Sequence, residues 1–258
     1  MKSLWTGSIG FGLVNIPVKL FSATQESNLD FDMLDKKDHS NIKFMRVSEK
    51  TGKEVKWENI VKGYLLNEKY VVLTDEDFEK ASPEKTKMIE ISQFCNQEEI
   101  DTVYYENAYY LEPDKTGTKA YALLRDALAK TGKVALGTYV LRSKESIGMI
   151  KANGHALMLY KLRFKEEVRS HGELKIPTTK STTAEVKVAI HLIEQLTKPF
   201  NIETFKDVYN EKLLKFIKAK AKGKAPVKTT MKVVHSASSN LMEQLKASLG
   251  QKKVKKAS

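Results

Sequence analysis

The chain has 258 residues, 41% of them apolar, enough for one large domain or one domain with an appendage. Its single cysteine, Cys95, excludes an internal disulfide and any cysteine-rich zinc site, and fits a reducing cytoplasm. No apolar run reaches the length of a signal peptide core or a membrane span, so a soluble intracellular protein is expected despite its formal charge of +12.

Residues 5–23 read WTGSIGFGLVNIPVKLFSA, with Trp5, Ile9, Phe11 and Leu13 on alternate positions and Gly7 in the same register. Period two means strand, and the glycines at 7, 10 and 12 mean a bend or a close approach to another backbone. After Asn15 the phase changes to Ile16, Val18 and Leu20 around Pro17, which has no ladder donor and marks an edge or corner. A small curved barrel accommodates such a strand better than an open sheet does. Residues 64–73, 87–94, 103–111, 134–142 and 147–164 are also β-rich, and Asn153-Gly154 divides the last into two arms of a hairpin. One helix interrupts them, with an apolar stripe of Ala120, Leu123, Leu124, Ala127 and Leu128 that stops before Gly132.

From Thr182 the period becomes helical. Thr182 and Glu185 form a capping box ahead of Val186, Ala189, Ile190 and Ile193, and Pro199 ends the helix. A second helix is expected to carry Ile202, Phe205, Tyr209, Leu213 and Ile217 and to run out into a lysine-alanine repeat. A Pro226-containing linker follows, then a short helix with Leu241, Leu245 and Leu249 at i, i+4, i+8, then Lys252, Lys253, Lys255 and Lys256. Three parts are therefore expected: a barrel core over 1–180, a helical arm over 181–224, and a linker, short helix and basic tail over 225–258.

Charge is unevenly placed. From residue 211 onward thirteen lysines face two acids, a net +11, leaving +1 for residues 1–210. Within that core, residues 36–62 carry +4, residues 115–151 carry +6, and residues 68–114 between them carry −9. Alternating blocks read either as a solvated surface or as one basic and one acidic face, the arrangement that lines a DNA channel and keeps its outside unattractive to DNA.

Catalytic chemistry is thin. Asp75, Glu76 and Asp77 suggest a nuclease metal site, but Thr74 with Asp77 three residues on is also a helix start. The five histidines have no metal-ligand spacing, and no phosphate-binding or dinucleotide fingerprint is present. No active site and no cofactor is expected. Tyr104, Tyr105, Tyr109 and Tyr110 read as barrel wall or as a stacking platform for frayed bases. Arg142, Lys144 and Arg163 read as phosphate contacts or strand-end caps, and Arg169 as a salt-bridge partner or a DNA contact. The terminal lysines suit sequence-independent phosphate attraction, because lysine delivers charge without bidentate geometry.

The opening stretch resembles the start of the bacterial Ku proteins, the DNA-end-binding subunits of non-homologous end joining. Five further blocks follow in the family's order: 60–64 (IVKGY) with 70–77 (YVVLTDED), 117–128 (GTKAYALLRDAL) with 140–145 (VLRSKE), 167–169 (EVR), 205–214 (FKDVYNEKLL) and 241–249 (LMEQLKASL). Where some relatives carry a CxxC pair, this chain reads VSEKTGKEV over 47–55, so no zinc knuckle is expected. The resemblance implies a mainly β fold with helices: a Ku-type barrel with a bridge, then a helical arm and a basic tail. It also implies a start at the barrel without the von Willebrand-like domain of eukaryotic relatives. By the same likeness the protein is a homodimer whose bridges close into a ring around a duplex end. It is non-catalytic, recruits an ATP-dependent end-joining ligase, and is cytoplasmic and nucleoid-associated. Lys43, Arg46, Lys53, Lys56, Lys130, Lys133, Arg142 and Lys144 are assigned to the channel, the four terminal lysines to DNA, and Leu241, Leu245 and Leu249 to the ligase. The rival functions are an architectural DNA-coating protein and a nuclease using Asp75 and Asp77.

Overall fold

The computed structural model describes residues 1–81, 87–141, 144–223 and 244–245, in two units, one of Met1–His171 and one beginning at Gly172. In the first, β1 (Trp5–Phe11) turns at Gly12, whose φ is 55°, into β2 (Val14–Ser22). The expected single bent strand is thus an antiparallel hairpin. Ile9 faces Ile16 and Trp5 faces Leu20, so the change of phase near residue 15 keeps both strands' apolar residues on one face. Gly7 meets the close backbone its position implied: a Cβ there would overlap the Lys87 carbonyl oxygen.

After β2 a long excursion, the bridge, leaves and returns before β5 (Met88–Asn96). It contains the hairpin β3 (Lys62–Leu66) and β4 (Lys69–Leu73), and α1 (Asp75–Ala81). The stretch 64–73, which reads as one strand, turns at Asn67 and Glu68, both at positive φ, 46° and 64°. This is a two-residue hairpin turn with glutamate where glycine is usual. The chain continues through β6 (Tyr105–Pro113), α2 (Thr118–Thr131), β7 (Lys133–Leu141), β8 (Lys144–Asn153) and β9 (Ala156–Leu162). Seven strands close a barrel in the order β1-β2-β6-β9-β8-β7-β5, antiparallel everywhere except where β5 meets β1. The Asn153-Gly154 hairpin and the Gly132 helix stop, at φ 66°, stand as the sequence indicated.

The barrel's two ends differ. At one, α2 packs Tyr121, Leu124 and Leu128 against interior residues that include Ile9, Ile150 and Leu157. There the Tyr121 hydroxyl donates to the Leu111 carbonyl (2.7 Å) and accepts from the Leu157 N–H (2.6 Å), satisfying two strand-end groups at once. Asn96, Lys133 and the β8–β9 turn lie at this helix end, where Arg125 reaches the His155 carbonyl at 3.3 Å. The other end carries the exit of β2, the entry of β5, the close of β7 and the opening of β8. The bridge springs from it.

The second unit contains α3 (Thr183–Leu196) and α4 (Val208–Ala221). The Thr182–Glu185 box caps α3, with both reciprocal bonds made, at 3.3 and 2.7 Å. The second expected helix is interrupted: Ile202–Thr204 makes one 3-10 turn, and α4 starts only where the Asp207 carboxylate accepts from the Asn210 N–H at 3.0 Å. That side-chain bond competes with continued helix at residues 205–207. No residue of α3 or α4 is buried.

Candidate nucleic-acid interface

The bridge is built from short turns stabilised by their own side chains. Ile42 N–H bonds the Met33 carbonyl and Asp35 N–H the Ser40 carbonyl, folding residues 33–42 into a ribbon with Lys36 and Lys37 at its tip. Asp35 accepts from the Lys37 N–H and Asp38 from the Ser40 N–H, and this second bond holds the Asp38 carboxyl below its ordinary pKa. A second ribbon pairs Arg46 with Val55 and Ser48 with Lys53 around a turn through Lys50 and Gly52. Positions 46, 48, 53 and 55 alternate with the Val47–Glu54 bridge, so Arg46 and Lys53 share a face. The Arg46 guanidinium lies 4.7 Å over the Trp57 ring and the Lys62 amine 4.4 Å over Phe78. Aromatic rings hold these cations without neutralising them.

No residue from 24 to 81 is buried, and among the described residues none of the bridge's cations is paired with a carboxylate. The ribbon therefore presents its positive charge to solvent, available to a polyanion.

Of the residues assigned to the channel, Lys43, Arg46, Lys53 and Lys56 lie together on this ribbon. Lys144 lies at the bridge end of the barrel, its amine 3.6 Å from Glu167. Lys130, in the last turn of α2, and Lys133, whose amine donates to Asn96 Oδ1 at 2.7 Å, lie at the helix end instead. Lys133 and Lys144 bracket β7 and so face opposite ends of the barrel. Arg142 is outside the described residues, as are Leu241, Leu249, Lys252, Lys253, Lys255 and Lys256; Leu245 is helical and half-buried. The ribbon adds Lys36, Lys37 and Lys50, which sequence reasoning did not single out. Their signal is placement at turn tips, beside Asp35 and Asp38 and before Gly52.

Several residues weighed for other chemistry have structural roles. Asp77 accepts from the Thr74 N–H (2.9 Å) and hydroxyl (2.8 Å), a helix cap that holds its carboxyl low. Among the described residues no three metal-ligating side chains cluster. Tyr105 packs edge-on to Tyr160 at 5.8 Å, and Tyr109 lies against the barrel core. Arg163 donates to the Val103 and Tyr105 carbonyls, so it caps a strand end. Among the described residues no helix is long and apolar enough to cross a membrane.

Comparison with known proteins gives one consistent result. Residues 10–188 match the family described as the Ku70/Ku80 beta-barrel domain. A protein of Archaeoglobus fulgidus named non-homologous end joining protein Ku is 41% identical over 254 residues, covering 96% of this chain and 98% of its own. A protein of the same name from Heliobacterium modesticaldum is 38% identical, covering 98% and 93%. One from Bacillus subtilis is 37% identical, covering 87% and 73%.

Proposed function

The chain belongs to the Ku family, and from that premise we propose that it binds the ends of double-stranded DNA in non-homologous end joining. It does so as a ring-shaped homodimer, without sequence preference, and recruits and stimulates an ATP-dependent DNA ligase. The bridge carries this reading: a ribbon of unpaired cations standing off one end of a closed barrel has the charge and reach of an encircling arm. Phosphate attraction supplies affinity without base readout, so the only discriminating feature is topological: an end can be threaded and a closed circle cannot.

The homodimer draws support from the β3–β4 hairpin. Leu65, Tyr70 and Val72 share one face and Tyr64, Leu66 and Val71 the other, and all six are exposed. A two-stranded ribbon apolar on both sides is not stable alone; a second copy of the same bridge covers it. The channel role belongs to Lys43, Arg46, Lys53 and Lys56, with Lys144 beside the bridge's root and Arg142 as a further phosphate contact. Lys130 and Lys133, at the far end, serve a duplex running past the barrel's length. Lys252, Lys253, Lys255 and Lys256 add long-range attraction, and Leu241, Leu245 and Leu249 form the stripe that docks the ligase. The protein acts by binding, in the cytoplasm and on the nucleoid.

Duplexes of one length, linear and covalently closed, test the reading in a binding assay. Strong preference for the linear form is expected. Equal affinity would point to a general DNA-coating protein.

A further inference from the structure

Arg125, Arg163 and Arg46 hold their guanidinium groups in different ways. On the barrel the donors are used within the fold: Arg125 bonds Asp126 at 2.9 Å and the His155 carbonyl at 3.3 Å, and Arg163 bonds the Val103 and Tyr105 carbonyls. Arg46, on the bridge, has its guanidinium carbon 4.7 Å over the Trp57 ring. Among the described residues its side chain makes no hydrogen bond and no ion pair. The ring is its one holder there, and all its donors remain available.

The register of the ribbon makes this contact. The Val55 N–H bonds the Arg46 carbonyl at 2.8 Å, so these two residues face each other, and Trp57 follows two positions on. Diagonal neighbours on paired strands lie roughly 7–8 Å apart, within reach of an arginine and an indole. Residues 57–59 then form a 3-10 turn, with the Asn59 N–H on the Lys56 carbonyl at 3.0 Å and the Ile60 N–H on the Trp57 carbonyl at 3.1 Å. The indole thus stands on a fixed backbone, although the residue is 72% exposed. A ring so open to solvent adds little of the burial that holds a fold. Lys62, 4.4 Å over Phe78, is a contrast: an ammonium has no plane to orient, so there the ring only anchors a charge.

We propose that Trp57 is a positioning residue for DNA: by holding Arg46 on its face it aims the arginine's fork of donors at one phosphate, while Lys43, Lys53 and Lys56 act as unaimed point charges. The inference rests on the function proposed above. An arginine without partners samples many rotamers, and fixing it on a phosphate costs the entropy of those it gives up. Contact with the ring removes many of them in the free chain. It takes none of the charge and none of the hydrogen-bond donors, because the ring face attracts the cation through its quadrupole and not through N–H bonds. A phosphate that displaces water from the pair strengthens that attraction. The contact sets where the duplex lies against the bridge without reading its bases.

The test is binding of the full chain to a linear duplex across a salt series, in the wild type, Trp57→Leu, Arg46→Gln and the two changes together. Arg46→Gln should reduce the slope of log affinity against log salt by about 0.9 for each phosphate no longer neutralised. Trp57→Leu removes no charge, so it should weaken binding about fivefold at every salt concentration with the slope nearly unchanged. In the Arg46→Gln background the same change should have no further effect, since the ring acts only through the arginine. Trp57→Tyr should keep most of the affinity, one ring replacing another. Melting temperatures should stay level throughout, because neither residue is buried. Unchanged affinity in Trp57→Leu would overturn the positioning role. So would a loss of equal size in both backgrounds, which would mean that Trp57 touches DNA itself or supports the bridge. End recognition fails separately: if the wild type bound covalently closed duplex equally well, that reading would fall while the coupling of Trp57 to Arg46 stood. No binding to either duplex would end both.

Discussion

The barrel and the bridge belong to one unit of the chain yet are built on opposite terms. The barrel buries Ile9, Ile16, Val18, Leu20, Leu157 and Leu159 to 1% exposure or less, and its closing helix satisfies strand ends through Tyr121. The bridge buries nothing between residues 24 and 81, although Trp57, Tyr64 and Tyr70 are exposed by 72%, 65% and 73%. A barrel is held by its own interior; a ribbon of paired turns with large apolar residues in solvent is held only by what covers it. The difference divides the functions too. In the proposed function the barrel is the rigid mount, and the bridge is the part whose surroundings change when a second copy and DNA arrive.

Overpacking the barrel has the largest expected effect. At Gly137 a Cβ would overlap the Glu90 carbonyl oxygen, across the β5–β7 pairing at its bulge. Gly137→Val should prevent the barrel from closing, giving no cooperative thermal transition in circular dichroism; a normal melt would mean the strands do not meet this closely. In the bridge the corresponding insult should spare folding. Val71→Asp with Val72→Asp charges both faces of the hairpin, so sedimentation should show monomers whose melting temperature, set by the barrel, is nearly unchanged. A stable dimer in that variant would move the subunit interface elsewhere.

Charge sharpens the contrast further. Replacing Lys43, Arg46, Lys53 and Lys56 with Gln should reduce the slope of log affinity against log salt by up to about 3.6, at about 0.9 for each phosphate no longer neutralised. Lys130→Gln with Lys133→Gln, at the helix end, should change the slope less. If the two sets act equally, the ribbon is not the principal grip on the phosphates.

The smallest effect is on the pH dependence of the peripheral caps. Asp77, Glu167 and Glu185 accept backbone N–H bonds from Thr74, Phe164 and Thr182, which lower their pKa values in the folded chain. A lowered folded pKa stabilises above the ordinary carboxylate range, and that stability is lost as pH falls through the lowered values. Acid should therefore loosen α1 and α3 before the barrel, which buries no carboxylate among the described residues. Amide exchange measured between neutral pH and pH 3 checks the order.

Much of the barrel was legible because its signals are local. The stripe ending at Gly132, the Asn153-Gly154 turn and the Thr182–Glu185 box each depend on a few adjacent residues. The misreadings came where one local pattern fits two structures. Around Gly12, alternation followed by a phase change describes a bent strand and a hairpin equally well. At Asn67-Glu68 a left-handed turn uses glutamate, which carries no turn signal. The parallel contact of β1 with β5 joins segments some eighty residues apart and has no local mark. The scatter of the basic residues, by contrast, was inferable: Lys133 and Leu141 open and close one strand, and eight steps at about 3.3 Å separate them by about 26 Å.

The threaded ring is tested most directly by trapping. The full chain is loaded on linear duplex, the duplex is ligated into a covalently closed circle, and the complex is washed in salt high enough to dissociate protein added after closure. A closed homodimer cannot leave without opening, so protein loaded before closure should stay on the circle and be released when the circle is cut once. If it washes off the intact circle as readily as protein added afterwards, the bridge does not encircle DNA and binding is electrostatic alone.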